Sequence, residues 1–336
     1  MLELLGSSQP VVAAPMAGGP TTPALVVAAA DAGFGGFLAA GYKSPETVAA
    51  EIQEVRRRTP AFGVNLFAPP VVPVDPAAYA AYRELLLPLA ERYGVELPDV
   101  PVEDDDHWRD KLDVLAELAP PVVSFTFGLP DAGVVAGLRR AGCRLVQTVT
   151  SPREARQAAE AGMDALAVQS AEAGGHWGTL SPVAPPPRPA LPDLVRAVRA
   201  VVDLPVLAAG GVGTADDVRS GLSAGAQAVV VGTVLLLADE AGTNPGHRAG
   251  LADGRSRRVT TAAFSGRPAG ALPNEFLAAY DGRGPLGYPA LHHLTSPIRR
   301  AAAAAADPEH VNLWAGTGHR HARAAPAAEI LRGLLP

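Results

Sequence analysis

The stretch from Gln169 to Thr179 holds the greatest concentration of chemically useful side chains in this chain. It reads QSAEAGGHWGT and follows an apolar run at 165–168 that is typical of a buried strand. A glutamine, a carboxylate, paired glycines and a histidine therefore lie close to the carboxyl end of that strand. Because α/β barrel enzymes keep their active sites at the carboxyl ends of the strands, we expect this segment to carry the chemistry.

His176 is the side chain of this stretch that could accept a proton from a substrate. It is flanked by Gly174, Gly175 and Gly178. A histidine in a glycine-rich loop can titrate near neutral pH and act as a general base. A lone histidine is more often structural, but the place of His176 after a barrel strand favours a catalytic role. The other histidines have no strong metal-ligand spacing, so the sequence predicts no metal site.

Two glycine patches follow consecutive predicted strands. Gly210 and Gly211 lie in the run AGGVGT at 209–214, and Gly232 and Thr233 end the next strand. In barrels, loops at these two places commonly bind phosphate, because backbone N–H groups and a helix N-terminus face the anion. Either patch alone could form ordinary turns, but together they favour a phosphate-bearing cofactor. The run does not read G-x-G-x-x-G, so it does not predict a Rossmann dinucleotide site.

Polar residues also interrupt the apolar strands. Asn65 stands in GVNLF, and Gln147 and Gln169 lie near the ends of the fifth and sixth predicted strands. A buried amide must find hydrogen-bond partners, so each could serve either the protein interior or a bound ring or substrate. Met16, in the sequence APM, could likewise line a site or belong to the core.

The segments that must position these residues alternate between strand and helix. Strands are predicted at 11–16, 36–40, 62–67, 122–127, 145–149, 165–169, 205–209 and 228–231. An Ala-Gly pair precedes four of them, as expected where a glycine caps the preceding helix: Ala32-Gly33, Ala141-Gly142, Ala161-Gly162 and Ala224-Gly225. Continuous apolar strands are typical of parallel strands that are buried on both faces. The sequence therefore predicts the α/β fold class, with a (β/α)8 TIM barrel.

Two regions fall outside this alternation. Residues 68–118 form a proline-rich insertion, and residues 239–336 are too long to be one terminal helix. We expect both to build a smaller cap and substrate region, with 1–67 and 119–238 forming the cofactor-binding barrel. The elements predicted within the cap are helices near 79–92, 274–279, 297–306 and 326–334, and a strand near Val259.

Composition excludes several classes of function. The formal net charge is −6, which gives no reason to expect nucleic acid or an anionic membrane as a partner. The acidic run at 103–106 is interpreted as a solvated helix start, with a metal site as the weaker alternative. Cys143 is the single cysteine, so no intrachain disulfide can form. The N-terminus lacks the features of a signal peptide, and the apolar run at 228–238 is shorter than the ~20 residues of a membrane helix. We expect a cytoplasmic protein.

Six segments in chain order carry a recognisable family pattern. They are APMAGGPTTPALVVAAADAGFGGFLAAGY, FGVNLF, VSFTFGLP, QTVTSPREARQAAEAGMDALAVQSAEAGGHWGT, LAAGGVGTADDVRSGLSAGAQAVVVGT and TTAAFSGRPA. The closing segment LTSPIRRAAAAAADPEHVNLWAGTG is also similar to the family's C-terminal region. With these segments the chain resembles, over nearly its full length, the nitronate monooxygenases of the FMN-dependent barrel type, formerly called 2-nitropropane dioxygenases.

The resemblance implies FMN bound at the barrel mouth. Its contacts would be Ala14, Pro15 and Met16 beside the ring, together with Asn65, Gln169, Gly174, Gly175, Gly210, Gly211, Gly232 and Thr233. His176 would remove the acidic α-proton of a nitroalkane, a step that an ionised nitronate does not need. The implied reaction is the oxidation of alkyl nitronates with O2 to a carbonyl compound and nitrite, with the cofactor carrying the redox chemistry. The sequence leaves a homodimer open.

Two departures from the family pattern bear on the substrate. Many relatives have arginine or another residue where this chain has Trp177, and the proline-rich stretch at 182–189 is unusual. Both could reshape the substrate pocket. The main alternative is a flavin-dependent enoyl-acyl-carrier-protein reductase using NAD(P)H, which is similar in the same glycine-histidine loop; no basic landing patch for an acyl carrier is evident. A non-catalytic flavin sensor is the third class, and His176 argues against it.

Overall fold

The computed structural model describes residues 1–69, 73–182, 188–254 and 257–336. Its strands in these ranges are β1 (Val11–Ala13), β2 (Gly35–Ala39), β3 (Gly63–Ala68), β4 (Val122–Phe127), β5 (Arg144–Val149), β6 (Ala165–Gln169), β7 (Gly175–His176), β8 (Val206–Ala209), β9 (Ala228–Val231), β10 (Val259–Thr261) and β11 (Ala269–Ala271). Its α-helices in the same ranges are α1 (Pro23–Asp31), α2 (Pro45–Arg56), α3 (Pro76–Tyr93), α4 (Trp108–Leu118), α5 (Ala132–Arg140), α6 (Pro152–Glu160), α7 (Leu191–Arg199), α8 (Ala215–Ser223), α9 (Pro245–Ala252), α10 (Glu275–Tyr280), α11 (Ala290–Ala304) and α12 (Ala327–Arg332).

Eight of these strands close into a barrel in the order β1-β2-β3-β4-β5-β6-β8-β9, and β9 pairs again with β1. Every neighbouring pair is parallel. The predicted (β/α)8 TIM barrel is therefore confirmed. The strand predicted at 11–16 ends three residues early, at Ala13, because Pro15 has no backbone N–H to continue the ladder.

The barrel has one apolar core inside and another around it. Side chains that fill its interior include Val12, Phe37, Val146 and Leu207. An added Cβ at Gly63 would lie 2.2 Å from the ring of Phe37, so the glycine makes room for the aromatic side chain. A second layer of Val, Leu and Ile side chains packs the strands against the surrounding helices.

Local backbone chemistry explains the sharp turns between helices and strands. Thr22, Ser44, Asp131, Ser151 and Thr214 each accept a backbone N–H at the start of a barrel helix. The four predicted Ala-Gly pairs are confirmed as helix ends, since their glycines all have positive φ: Gly33 (83°), Gly142 (96°), Gly162 (85°) and Gly225 (106°).

A separate apolar cluster lies in the segments outside the barrel. Its members include Tyr82 on α3, Phe264, Phe276 on α10 and Leu291 on α11. Beside it β10, β11 and β7 form a three-stranded antiparallel sheet. The strand predicted near Val259 is thus confirmed, whereas β7 and β11 were not predicted. His176 therefore lies on a short strand of this sheet and not in a free glycine loop.

Helix α11 begins earlier than predicted, and helix α4, from the insertion at 68–118, packs against helices of the barrel. The helix predicted at 297–306 begins seven residues earlier, at Ala290, and passes through Pro297. Helix α4 lies against α2 and α5, and its Leu115 belongs to the core around the barrel. The proposed cap contribution of residues 68–118 therefore rests on α3, which packs against α11.

The acidic run is more than a solvated helix start. The Asp106 carboxylate accepts the backbone N–H of Tyr42 at 3.0 Å and lies 2.8 Å from the ammonium group of Lys111, a residue that is 1% exposed. Burial raises the pKa of Asp106 and lowers the pKa of Lys111. The run therefore ties the start of α4 to the loop after β2. Of the helices in the described ranges, none combines the length and the apolar character needed to cross a membrane.

Candidate active site

The carboxyl ends of the barrel strands and the covering segments enclose a cavity of about 740 Å³. Cofactor and ligand pockets commonly measure about 300–1,000 Å³. All the residues predicted to bind the cofactor line this one cavity, together with His176: Ala14, Pro15, Met16, Asn65, Gln169, Gly174, Gly175, Gly210, Gly211, Gly232 and Thr233. Their roles toward a ligand remain predictions, but the fold brings them together as expected.

The loop after β1 is held in shape by one hydroxyl. Thr21 accepts the backbone N–H of Met16 at 2.8 Å and donates to the carbonyl oxygen of Ala14 at 3.2 Å. Both bonds lie within a loop of eight residues, so Ala14, Pro15 and Met16 present a fixed surface to the cavity. The next residue, Thr22, caps α1.

The two amides predicted at the site are fixed by protein partners. Asn65 Nδ2 donates to Ser124 Oγ at 2.9 Å and to Thr126 Oγ1 at 3.1 Å, both on the neighbouring β4. Gln169 accepts the backbone N–H of Gly178 at 2.7 Å and donates to the carbonyl oxygen of His176 at 3.3 Å. Gln169 therefore holds the histidine segment across the end of β6.

Gln147 has no place in this site. It is fully buried on β5 and does not line the cavity, and its Nε2 donates to the carbonyl oxygen of Thr148 at 3.2 Å. Side chains alternate along a strand, so the neighbours Val146 and Thr148 face the cavity while Gln147 faces the helix layer.

The glycine loop after β8 takes a conformation that other residues avoid. Gly210 has φ 105° and Gly211 has φ 82°, and a Cβ at Gly210 would lie 2.7 Å from Ser170 Oγ. Among the described residues, the backbone N–H groups of Gly211 and Val212 have no protein acceptor. The loop therefore offers donors to an anion in the cavity.

The N–H groups just before α8 are taken up by a side chain of that helix. Asp217 Oδ2 accepts the N–H of Gly213 at 3.0 Å and that of Thr214 at 2.9 Å, which completes a capping box on α8. The first turn of α8 does not line the cavity, so the donors near the cavity are those of the loop.

A third glycine segment, which the sequence did not single out, completes this wall. Gly316 and Gly318 line the cavity, and the N–H of Gly316 donates to Thr233 Oγ1 at 3.0 Å. A Cβ at Gly316 would lie 2.7 Å from the Glu172 carbonyl oxygen, and one at Gly318 would lie 2.7 Å from that of Val212. The AGTG sequence at 315–318 was the available signal, but its approach to β8 and β9 is a tertiary feature.

His176 is half-buried among aromatic rings. Its ring centroid lies 5.7 Å from that of Phe127, 5.5 Å from Tyr288 and 5.3 Å from Trp314. Its Nε2 is 2.8 Å from Ser265 Oγ. Burial, followed by the positive charges of Arg267 and Arg299, lowers the pKa of His176 to about 3. The imidazole is therefore neutral at physiological pH and free to accept a proton.

Arg267 holds the segment that follows His176 through hydrogen bonds to its backbone. It is fully buried, its Nε donates to the Trp177 carbonyl oxygen at 3.3 Å, and its Nη2 donates to that of Thr179. Its guanidinium carbon lies 3.9 Å from the centroid of the Phe127 ring. Arg267 itself does not line the cavity, but its positive charge lowers the pKa of His176.

The Trp177 side chain is 1% exposed and does not line the cavity; Arg188 lies 5.0 Å from its ring centroid. A direct contact between Trp177 and substrate, one way in which it could reshape the pocket, is therefore not supported. Of the proline-rich stretch, residues 183–187 lie outside the described residues.

The covering helix α11 adds a polar and cationic wall that sequence reasoning missed. His292 stacks on Tyr42 with ring centroids 4.1 Å apart. Arg299 donates to Thr295 Oγ1 at 2.9 Å and to Asn312 Oδ1 at 3.1 Å. The signal was the helical spacing of 292, 296, 299 and 303, which puts these positions on one face.

Comparison with known proteins identifies the family of this chain. The family model described as nitronate monooxygenase matches residues 2–336. The chain is 38% identical to a nitronate monooxygenase of Pseudomonas aeruginosa, over 99% of this chain and 97% of that protein. It is 36% identical to a nitronate monooxygenase of Paraburkholderia phytofirmans, over 99% of this chain and 93% of that protein. A crystal structure of nitroalkane oxidase from Streptomyces ansochromogenes superposes with a TM-score of 0.92 at 42% identity, covering 99% of this chain and 96% of that one. The chain is therefore an oxidoreductase that belongs to the nitronate monooxygenase family.

Proposed function

We propose that this protein uses FMN to oxidise alkyl nitronates, and more slowly nitroalkanes, with O2 to a carbonyl compound and nitrite. The family is flavin-dependent. The finer assignments, namely FMN, the products and His176 as general base, are ours. A cytoplasmic location and a homodimeric assembly stay sequence-based predictions.

The cavity residues fit a flavin with a single phosphate. Gly211, Gly232, Thr233 and Gly316 come from three loops that meet at one wall of the cavity. An added Cβ would lie 2.6 Å from Glu172 Oε2 at Gly211 and 2.7 Å from the Glu172 carbonyl oxygen at Gly316. The free N–H groups of Gly211 and Val212 suit phosphate oxygens. We therefore assign the phosphate to this wall and the ring system to Ala14, Pro15, Met16, Asn65 and Gln169. When bound, the flavin supplies the electron-accepting chemistry of the reaction.

The cations near His176 favour an anionic substrate. Arg299 is half-buried and lines the cavity, whereas Arg267 is fully buried and does not line it, and both lower the pKa of His176. The cavity lining also includes the carboxylates of residues 104–106. A nitronate carries a negative charge that these cations attract at short range in a poorly solvated site. This supports nitronates as the substrates that the cavity binds best.

His176 is the observation that carries the proposal. A neutral imidazole lines the same cavity as the glycine wall, enclosed by Phe127, Tyr288 and Trp314. With a pKa of about 3 it is a weak base before substrate binds. Proton transfer from a nitroalkane creates a nitronate anion beside it, and that anion stabilises the imidazolium. A preformed nitronate bypasses this step, which is why we expect nitronates to react faster.

The test compares His176→Gln on neutral nitroalkane and on preformed nitronate. We expect kcat/KM for the nitroalkane to fall about 10²- to 10⁴-fold, while kcat/KM for the nitronate changes only several-fold. His293→Gln is the matched control, since His293 also lines the cavity but pairs with Asp104 at 2.9 Å at its outer edge. Equal losses on both substrates in His176→Gln would remove the general-base assignment.

A further inference from the structure

Ser265 is placed to control which nitrogen of His176 is the base. It lies between β10 and β11, is 1% exposed, and its own N–H donates to the Ala262 carbonyl oxygen at 3.2 Å. Its Oγ lies 2.8 Å from His176 Nε2 and 3.3 Å from the carbonyl oxygen of Arg267.

A hydroxyl carries one hydrogen, so Ser265 can donate to only one of these two neighbours. The Arg267 carbonyl is an acceptor and never a donor, and it belongs to a residue that is fully buried. Donation to it satisfies a buried acceptor that would otherwise lose a hydrogen bond. The Ser265 oxygen must then accept its other hydrogen bond from His176, which places a hydrogen on Nε2.

The surrounding backbone fixes this arrangement from both sides. His176 pairs with Ala269 in the β7–β11 ladder, and the N–H of Trp177 donates to the Pro268 carbonyl oxygen at 3.0 Å. Arg267 Nε donates back to the Trp177 carbonyl oxygen at 3.3 Å. The serine and the histidine are therefore held on adjoining segments that cannot shift independently.

We propose that Ser265 is a positioning residue that holds His176 as the Nε2–H tautomer, so that Nδ1 takes the proton of the substrate. This inference rests on the proposed function. The same hydrogen bond stabilises the protonated form of His176. The imidazolium keeps its Nε2–H, and its bond to the Ser265 oxygen becomes charge-assisted and therefore stronger. A serine that donated to Nε2 would instead require the Nδ1–H tautomer, in which Nδ1 already carries a hydrogen and cannot accept the substrate's proton.

The direct test is ¹⁵N NMR of the flavin-loaded protein labelled at histidine, with the His176 signals identified by their loss in His176→Gln. We expect a pyrrole-type resonance for Nε2 and a pyridine-type resonance for Nδ1 of His176. In Ser265→Ala both resonances should move toward averaged values, and Ser265→Thr, which keeps the hydroxyl, should restore them. A pyridine-type Nε2 in the wild-type protein, or an unchanged tautomer in Ser265→Ala, would overturn the proposal.

Kinetics provide the second readout. Ser265→Ala should lower kcat for a neutral nitroalkane about tenfold, the scale of one lost hydrogen bond, and leave turnover of preformed nitronate near the wild-type rate. Ser220→Ala, on the exposed face of α8, is the matched control. If His176→Gln spares nitroalkane turnover, the proposed function fails whatever the tautomer; if His176→Gln is impaired but Ser265→Ala is not, only the serine proposal fails.

Discussion

Replacing Gly211 by alanine should weaken flavin binding much more than it weakens the fold. Gly211 has φ 82°, and a Cβ there would lie 2.6 Å from Glu172 Oε2 and 3.0 Å from both Glu172 Cβ and Thr317 Oγ1. The carboxylate end can swing away, but the N–H of Thr317 donates to the Glu172 carbonyl oxygen at 3.0 Å, so the two residues are held together. The added methyl group must therefore push the third glycine segment away from the wall.

Gly225→Ala is the matched control for this change. Gly225 has φ 106° and follows α8, whereas Gly211 precedes that helix. Its added Cβ would meet Arg199 atoms only at 3.5–3.9 Å, which is ordinary contact. Displacement of the third glycine segment relieves the overpacking in the apoprotein, so both variants should lose similar thermal stability from the left-handed strain of about 1–2 kcal/mol. Holding that segment at the wall in the flavin-bound state restores overpacking of about 1–3 kcal/mol in Gly211→Ala alone.

If that overpacking falls on the flavin-bound state, the Kd for FMN should rise roughly 5- to 150-fold in Gly211→Ala. Quenching of FMN fluorescence on titration into the apoprotein measures Kd, and thermal melting of the apoprotein measures the strain. Gly225→Ala should bind FMN as the wild-type protein does. Wild-type affinity in Gly211→Ala, or an equal loss of affinity in Gly225→Ala, would refute the placement of the phosphate at this wall.

Two further predictions concern buried ionisable groups. His247 is 4% exposed, and burial lowers its pKa to about 4. As the pH falls below the unfolded-state pKa of about 6.5, the unfolded chain binds a proton before the folded chain does, so the free energy of unfolding should drop by up to about 3 kcal/mol by pH 4. Urea unfolding measures this drop, and His247→Gln should flatten it. A pH dependence that is the same in both proteins would contradict this. Asp106→Asn should lower the free energy of unfolding by about 3–5 kcal/mol, because it leaves the ammonium group of Lys111 buried without a counter-charge. The control Asp99→Asn breaks the exposed pair with Arg83 and should lower it by less than about 1 kcal/mol. Similar denaturation midpoints for these two variants would show that the buried pair has no special weight.

The barrel was predictable because its signals are local. Apolar strands, capping residues such as Thr22 and Ser44, and the glycines that end the helices are dictated by the backbone of a few neighbouring residues. The meeting of Asn65 and Gln169 at one cavity follows once the strands are known to be parallel, because their carboxyl ends share one face.

The covering sheet was not predictable in the same way. β7 has two residues and β11 has three, which is too short to show any periodicity, and they are stabilised by pairing between segments about 90 residues apart. The start of α11 was misplaced because Pro297 favours the first turn of a helix, yet here the tertiary packing of the preceding turns keeps it inside.

The missed site residues share one cause. Ser265, Arg267 and Gly316 lie in segments whose sequence has no catalytic spacing, and they act because the fold places them against His176 or the glycine wall. Gln147 was left open between the protein interior and a ligand, and the structure places it in the interior because its position on β5 faces away from the cavity.

The most direct test of the account is anaerobic mixing of the purified flavin-loaded protein with a preformed alkyl nitronate, with NADH and with NADPH in separate cells, while the flavin absorbance is followed. The account predicts that the nitronate bleaches the flavin, that nitrite appears once air is admitted, and that heating releases FMN. Rapid bleaching by a reduced nicotinamide together with no response to the nitronate would contradict it.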